Sequence, residues 1–148
     1  MRIGGAAANV PTCDHTLDTK EMGEMPKVSK ASAAHVDQGP AEVWHEDVDG
    51  YSVDFVSIRE DADLAPLLKG LPDDRCPCPH WGYLFKGRLT VRYADREEVI
   101  EAGDAYYMAP GHVPAAQAGS EFFQFSPAEA LAEVHAAMMR NAQAMQSA

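Results

Sequence analysis

Two cysteines and a histidine stand at alternate positions in the segment Cys76-Pro77-Cys78-Pro79-His80. In an extended strand alternate side chains share one face, so both thiols and the imidazole would point the same way. Thiolate and imidazole are donors that Zn²⁺ and other transition metals take from proteins. The spacing therefore predicts three metal ligands on one strand face. The two prolines cannot donate to a sheet ladder, which makes this strand an edge or a bulged entry.

A fourth ligand must come from elsewhere in the chain. His112 follows the Pro110-Gly111 corner, from which it could enter the interior on a neighbouring strand. Two thiolates and two imidazoles form a tetrahedral set that Zn²⁺ favours, with iron or another transition metal as alternatives. Two other interpretations stay open. The thiols could be buried and inert in a rigid Pro-Cys-Pro loop, or they could be reactive, with redox or nucleophilic chemistry.

Composition limits the partners and the compartment. The 148 residues carry 12 Lys and Arg against 23 Asp and Glu, a net charge of −11. This charge argues against nucleic acid or an anionic membrane as the main partner. No run of about 18 apolar residues is present, so no transmembrane helix is expected. The chain has three cysteines, and a bridge between Cys76 and Cys78 would close too tight a loop. We therefore expect a cytoplasmic protein without structural disulfides.

Turn signals at short, regular intervals predict a mainly β domain. Over residues 41–126, alternating apolar and polar stretches are separated by turns such as Asp49-Gly50. Short strands with a turn every ~8–10 residues are typical of an antiparallel sandwich or barrel. Residues 1–40 show no steady apolar period and are predicted to form a flexible arm.

The C-terminal segment, residues 127–148, changes to a helical period. Ser126-Pro127-Ala128-Glu129 has the form of a capping box with proline at the first helical position. The apolar residues that follow lie on one helical stripe. An amphipathic helix that packs on the β domain or on a second subunit is therefore expected.

Two stretches of the chain resemble the sequence motifs of the cupin superfamily. The stretch from Trp81 to Val91, with Gly87 at its turn, is similar to the end of the first cupin motif. The stretch from Ala102 to Gly111 is similar to the start of the second motif, at a fitting separation. The resemblance implies a single cupin β-barrel or jelly roll, a metal pocket inside it, and a homodimer formed through the sheets.

The first motif departs from the family at its ligand positions. Counted back from the glycine, the family's Glu position falls on His80, and its two His positions fall near Cys76 and Asp74. A one-residue bulge would instead place Cys76 and Cys78 in the His roles. The resemblance therefore implies a metal pocket with softer ligands, and it leaves the choice between Asp74 and Cys78 open.

The second motif departs in a similar way. The family's His position falls on Pro114, and His112 lies two residues earlier. Because side chains two residues apart share a face of a regular strand, His112 could fill the same role.

Aromatic residues are candidates for a small-ligand pocket beside the ion. Tyr51, Trp81 and Tyr106 are the candidates, and of the adjacent Tyr106 and Tyr107 at most one can face inward. Asp74 could serve as a hydrogen-bond acceptor for a metal ligand.

Two functions remain open. The first is a metal-dependent enzyme acting on a small organic molecule, and the second is a non-catalytic ligand-binding or sensor barrel with a structural zinc site. Three protein ligands with an open position would favour the enzyme, and four ligands would favour the structural site.

Overall fold

Ten strands and one long helix make up the described part of the chain, residues 25–147, in a computed structural model. The strands are β1 (Ala34–Asp37), β2 (Ala41–Val48), β3 (Tyr51–Ile58), β4 (Ala62–Asp63), β5 (His80–Lys86), β6 (Arg88–Arg92), β7 (Glu97–Glu101), β8 (Ala105–Met108), β9 (Val113–Ala116) and β10 (Glu121–Pro127). Two short 3-10 helices, Ala65–Leu68 and Pro72–Asp74, lie between β4 and β5, and helix α1 (Ala128–Gln146) follows β10.

The strands form two antiparallel sheets that pack against each other. The first sheet has the order β1-β2-β3-β10-β5-β8 and the second has the order β4-β9-β6-β7. Buried apolar side chains from both sheets meet in one cluster, with Leu84 and Met108 from the first sheet and Leu89, Val91 and Ile100 from the second. The predicted mainly β jelly roll with a C-terminal helix is therefore confirmed. Within residues 25–147, no strand pairing closes the two sheets into one barrel.

The N-terminal edge of the first sheet contains a strand that the sequence pattern does not reveal. Residues 34–37, within the predicted arm, pair with β2 as strand β1. All four side chains of β1 are exposed, so the strand has no apolar period by which it could be recognised. Residues 1–24 of the predicted arm lie outside the described residues. The Asp49-Gly50 turn between β2 and β3 is as predicted, with φ of 49° and 81° at its two residues.

Helix α1 begins without the predicted capping box. Its N-terminal boundary is Pro127, no side chain caps it, and the Ala128 amide donates to the Gly50 carbonyl at 2.9 Å. Strand β10 runs through Ser126, so the hydroxyl of Ser126 is directed by the sheet and not by the helix. Near its C-terminal end, Asn141 donates to the carbonyls of Leu67 and Lys69 and ties α1 to the first 3-10 helix. No helix among residues 25–147 is both long and apolar enough to span a membrane.

Candidate metal site

Cys76 and His112 are brought together by backbone pairing. The Cys76 amide donates to the His112 carbonyl, and the Gly111 amide donates to the Cys76 carbonyl, each at 2.8 Å. This isolated bridge aligns a residue before β5 with a residue before β9, which are far apart in sequence. His80 is the first residue of β5, and its side chain is buried on the inner face of the first sheet. The two motif regions therefore meet at one point inside the fold.

Three donor groups converge at this point. The Cys76 Sγ lies 3.6 Å from the His80 Nε2. One donor atom from each of Cys76, His80 and His112 lies within 4.8 Å of the other two. The three residues are only 3%, 6% and 0% exposed, respectively. A thiol and two imidazoles in a compact, dry cluster form a donor set that suits zinc or another borderline transition metal.

The imidazole of His112 has one nitrogen without a partner. Its Nδ1 donates to the Ala109 carbonyl at 2.6 Å, which leaves the Nε2 lone pair free. That Nε2 is buried and has no hydrogen-bond partner in the described structure. Because an unpaired buried polar atom is costly, a bound cation at this position would satisfy it. This orphaned nitrogen is the strongest local sign that the three residues fit a metal ion.

Burial keeps both histidines of the cluster neutral. Burial, with a smaller contribution from His112, lowers the pKa of His80 to about 3. Burial also lowers the pKa of His112, although the hydrogen bond to Ala109 opposes this shift. Neutral imidazoles are the form that binds metals. Burial raises the pKa of the Cys76 thiol, so ionisation of this ligand would depend on the charge of an incoming cation.

Cys78 is not part of the three-residue cluster, although the sequence places it on the same strand face. Residues 77–79 are not in a strand, so the alternation that the prediction assumed does not hold there. Cys78 is fully buried in an apolar cluster with Leu68, Leu131 and Val134, a cluster that also includes Cys76, and its Sγ is not among the three converging donor atoms. Burial, with smaller effects from the charges of Cys76 and Asp54, raises its pKa to about 12. Its environment is that of a packed thiol.

Of the predicted pocket residues, Tyr106 alone faces the interior. It is the inward member of the adjacent tyrosine pair, and its hydroxyl donates to Gln124 Oε1 at 3.2 Å. Trp81 follows the inward His80 in β5 and therefore points outward, where it stacks on Tyr107 at 5.1 Å between ring centroids. Tyr51 lies on the same outer face as Trp81.

Asp74 lies outside the metal cluster as well. Its carboxylate accepts a hydrogen bond from the Gly70 amide at 2.9 Å, and its backbone has a φ of 54°. Asp74 is exposed, in a tight turn that closes the second 3-10 helix. Its contacts are therefore those of a turn residue.

A cavity of about 370 Å³ lies between β7 and β8, beside the cluster. Tyr93, Tyr106, Met108 and the carboxylates of Glu98 and Asp104 are among its lining residues. Met108 pairs with His80 across strands, and the Tyr93 ring lies edge-on to His112 at 6.3 Å between ring centroids. The cavity and the cluster are therefore separated by single side chains.

Sequence patterns did not identify Tyr93, Met108 or Ser126 as part of this region. The Ser126 Oγ lies 2.6 Å from the His80 Nδ1. A signal for Ser126 was present in the alternation of β10, where Phe122, Gln124 and Ser126 share one face. Polar residues at the inward positions of a buried strand are candidates for a site.

Comparison with solved structures identifies the architecture. The chain is similar to an RmlC-like cupin from Shewanella frigidimarina NCIMB 400, with a TM-score of 0.50, 15% identity, and coverage of 71% of this chain and 93% of that one. The protein has a cupin fold. It is also similar to a protein of unknown function from Rhizobium leguminosarum bv. viciae 3841, with a TM-score of 0.52, 14% identity, and coverage of 70% and 96%. A mutant of Bacillus subtilis oxalate decarboxylase OxdC matches with a TM-score of 0.52 and 13% identity over 71% of this chain and 30% of that one.

At these identities the likeness extends to the cupin fold and not to an activity. No protein-family model matches the sequence, and no curated protein matches it. Within the cupin fold, Cys76 and His80 border the first predicted motif and His112 borders the second. The site is therefore the one that the two motif regions build, with a thiol among its donors.

Proposed function

We propose that this cupin-fold protein is a metal-dependent enzyme that acts on a small organic molecule. It would bind one transition-metal ion per chain, and zinc is the metal that the donor set favours. The observation that carries the proposal is the buried group of Cys76, His80 and His112, in which the His112 Nε2 has no other partner. Metal-free, this group leaves a buried nitrogen unsatisfied. Metal binding would therefore stabilise the fold as well as create the site.

Three protein ligands would leave a coordination position open. Catalytic zinc sites commonly have three protein ligands, whereas structural sites have four. An ion held there would supply Lewis-acid polarisation or a bound water of lowered pKa. The described residues would hold that ion in an environment from which bulk water is excluded, because all three donors are buried.

The cavity between β7 and β8 supports the proposal that the substrate is a small organic molecule. Its volume of about 370 Å³ suits a molecule of modest size. Burial and the negative charge of Asp54 raise the pKa of Tyr106, so its hydroxyl stays protonated and keeps its hydrogen bond to Gln124 Oε1. Tyr106 would orient the substrate, and Tyr93 and Met108 would shape the path towards the cluster.

A structural zinc site in a ligand-binding or sensor protein is the second candidate function. It is favoured by the burial of the cluster and by a second buried thiol, Cys78, nearby in sequence. A shift of residues 77–79 that turned this thiol inwards would complete a closed set of four ligands. Such a site would stabilise the fold without reacting.

Metal titration of matched cysteine variants tests the proposal. Purified metal-free protein should take up one Zn²⁺ per chain in competition with a chromophoric chelator. Cys76→Ser should weaken this binding by more than the ~100-fold that follows loss of a ligand's hydrogen-bond partner. Cys78→Ser also removes a buried thiol, but its affinity should remain that of the wild-type protein.

Cobalt substitution tests for the open position. If Co²⁺ replaces zinc with three protein ligands, added azide should bind the free position and alter the visible absorption. A spectrum insensitive to azide, together with loss of metal in Cys78→Ser, would establish the closed structural site instead. A wild-type protein that binds no metal would refute both functions.

We also propose a cytoplasmic homodimer formed through the aromatic face, which comprises Tyr51, Trp81, Phe85, Tyr107 and Phe125 on the outer side of the first sheet. These five side chains are 42–54% exposed. At roughly 200 Å² per aromatic side chain they leave about 450–500 Å² of exposed aromatic surface. This area lies in the range of about 300–600 Å² found for the largest apolar patch of a protein, a patch that often has a function, and it is more than half of the ~800 Å² that each partner of a stable dimer buries.

The chemistry of the aromatic face fits a second copy of the chain. The chain carries a net charge of −11, which opposes self-association through charged surfaces. The aromatic face avoids this repulsion, since the Lys86–Glu121 pair at its end neutralises itself.

The proposed cytoplasmic location is supported by the cysteines. The free thiols of Cys76 and Cys78 fit a reducing compartment.

A further inference from the structure

A line of polar side chains crosses the inner face of the first sheet from its surface to the metal cluster. Asp47 pairs with Ser52 across β2 and β3, and Ser52 pairs with Ser126 across β3 and β10. Ser126 then reaches His80 of β5 at 2.6 Å from Oγ to Nδ1. Ser52 and Ser126 are 2% and 0% exposed, so their hydroxyls are shielded from solvent.

The two histidines of the cluster are held by different kinds of partner. His112 Nδ1 faces the Ala109 carbonyl, which can only accept, so this contact alone determines that Nδ1 carries the proton. His80 Nδ1 faces the Ser126 hydroxyl, which can either donate or accept. The His80 tautomer therefore depends on where the hydroxyl proton of Ser126 is directed.

Two neighbours, Ser52 and Cys76, bear on that direction. Ser52 donates to the Asp47 carboxylate at 2.5 Å, so its oxygen retains lone pairs to accept another donor. Ser126 is the direct cross-strand partner of Ser52, and side chains in such pairs are neighbours. Among the described residues the Ser126 hydroxyl makes no hydrogen bond to Ser52, and its one side-chain partner is His80 Nδ1. On the other side of the ring the Cys76 Sγ lies 3.6 Å from His80 Nε2, where the thiol can donate to the Nε2 lone pair and leave Nδ1 as the donor to Ser126.

We propose that Ser126 is a positioning residue for the metal site, which holds His80 in the tautomer that presents its Nε2 lone pair to the ion. The role of Ser126 towards the ion rests on the proposed metal binding. The tautomer of His80, by contrast, is a property of the metal-free protein. Hydrogen bonds to the second nitrogen of a ligating histidine set ring orientation and ligand basicity.

The first experiment measures the His80 tautomer directly in metal-free, full-length protein at neutral pH. Long-range proton–nitrogen NMR spectra distinguish a protonated Nδ1 from a protonated Nε2. Wild-type His80 should carry its proton on Nδ1. Ser126→Ala should lose this preference, and Ser126→Thr, which keeps the hydroxyl, should retain it. A wild-type His80 protonated on Nε2 would overturn the proposal even if no variant folds.

The second experiment measures Zn²⁺ affinity by chelator competition in the same proteins. Ser126→Ala should bind Zn²⁺ about 10–100-fold more weakly than wild type. The matched control is Ser120→Ala, because Ser120 is also 0% exposed and its hydroxyl bonds only the backbone of Arg88. Equal affinities in wild type and Ser126→Ala would overturn the role of Ser126 alone. Absence of Zn²⁺ binding by the wild type would instead refute the proposed function.

Discussion

Gly82 lies where the first sheet approaches the Tyr106 ring, and an alanine there should destabilise the protein. A Cβ at this position would lie 2.5 Å from the Cζ and Oη atoms of Tyr106 and even closer to the Phe123 carbonyl oxygen. Phe123 is paired on both sides, with β3 and β5, so its carbonyl cannot move away. Relief must therefore come from a shift of the Tyr106 ring, which lengthens or breaks its hydrogen bond to Gln124, and from a displacement of the β5 backbone away from the Phe123 carbonyl.

The magnitude follows from these two effects. Overpacking in a well-packed interior costs about 1–3 kcal/mol, and a lost hydrogen bond adds about 1 kcal/mol. Gly82→Ala should therefore lower the free energy of unfolding by about 3 kcal/mol. For a chain near this size, that corresponds to a fall in Tm of about 6–12 °C. Because Tyr106 lines the cavity between β7 and β8, its displacement should also change ligand binding there.

A double-mutant cycle by urea denaturation measures how much of the destabilisation by Gly82→Ala comes from the clash with the Tyr106 ring. Tyr106→Ala removes the two ring atoms of the clash and leaves the Phe123 carbonyl contact, so Gly82→Ala should still destabilise a Tyr106→Ala background, but less than it destabilises wild type. The coupling should exceed about 0.5 kcal/mol in the direction of relief. Strict additivity, or a Gly82→Ala protein as stable as wild type, would show that the two residues do not pack as described.

Three further perturbations follow from the structure. In metal-free protein, the unfolded state binds a proton at His80 near pH 6.5 and the folded state only near 3, so His80 alone should lower stability by about 2 kcal/mol at pH 5 relative to pH 7. The lowered pKa values of His112 and His135 add to this loss in urea denaturation, and a flat profile would contradict neutral burial. If the proposed dimer forms through the aromatic face, Trp81→Glu should give a monomer in size-exclusion light scattering, whereas Met139→Glu on the exposed side of α1 should leave the dimer intact. The reverse result would move the proposed interface to the helix. Asn141→Ala should cost about 1–2 kcal/mol and increase hydrogen exchange in α1, because two carbonyls lose their donor, and unchanged exchange would show that Asn141 does not anchor the helix.

Local patterns were sufficient to predict the fold class, and they named the three residues of the candidate metal cluster. The alternation and the glycine turns predicted an antiparallel β sandwich or barrel, because a two-residue period can be read from neighbouring residues alone. The resemblance to the cupin motifs narrowed this to a cupin barrel or jelly roll. Residue chemistry singled out Cys76, His80 and His112, which the structure brings within 4.8 Å of one another.

The composition of the cluster depended on the tertiary structure. Alternation placed Cys78 beside Cys76, but prolines on both sides keep residues 77–79 out of the sheet, and Cys78 packs among apolar side chains instead. Likewise, the sequence around Ser126 matches a helix capping box. In the structure Ser126 instead pairs with β3 as a strand residue, and its hydroxyl lies next to His80. Local sequence specifies periodicity and donor type. Which side chains meet is decided by long-range strand pairing, such as the bridge that joins residues 76 and 112.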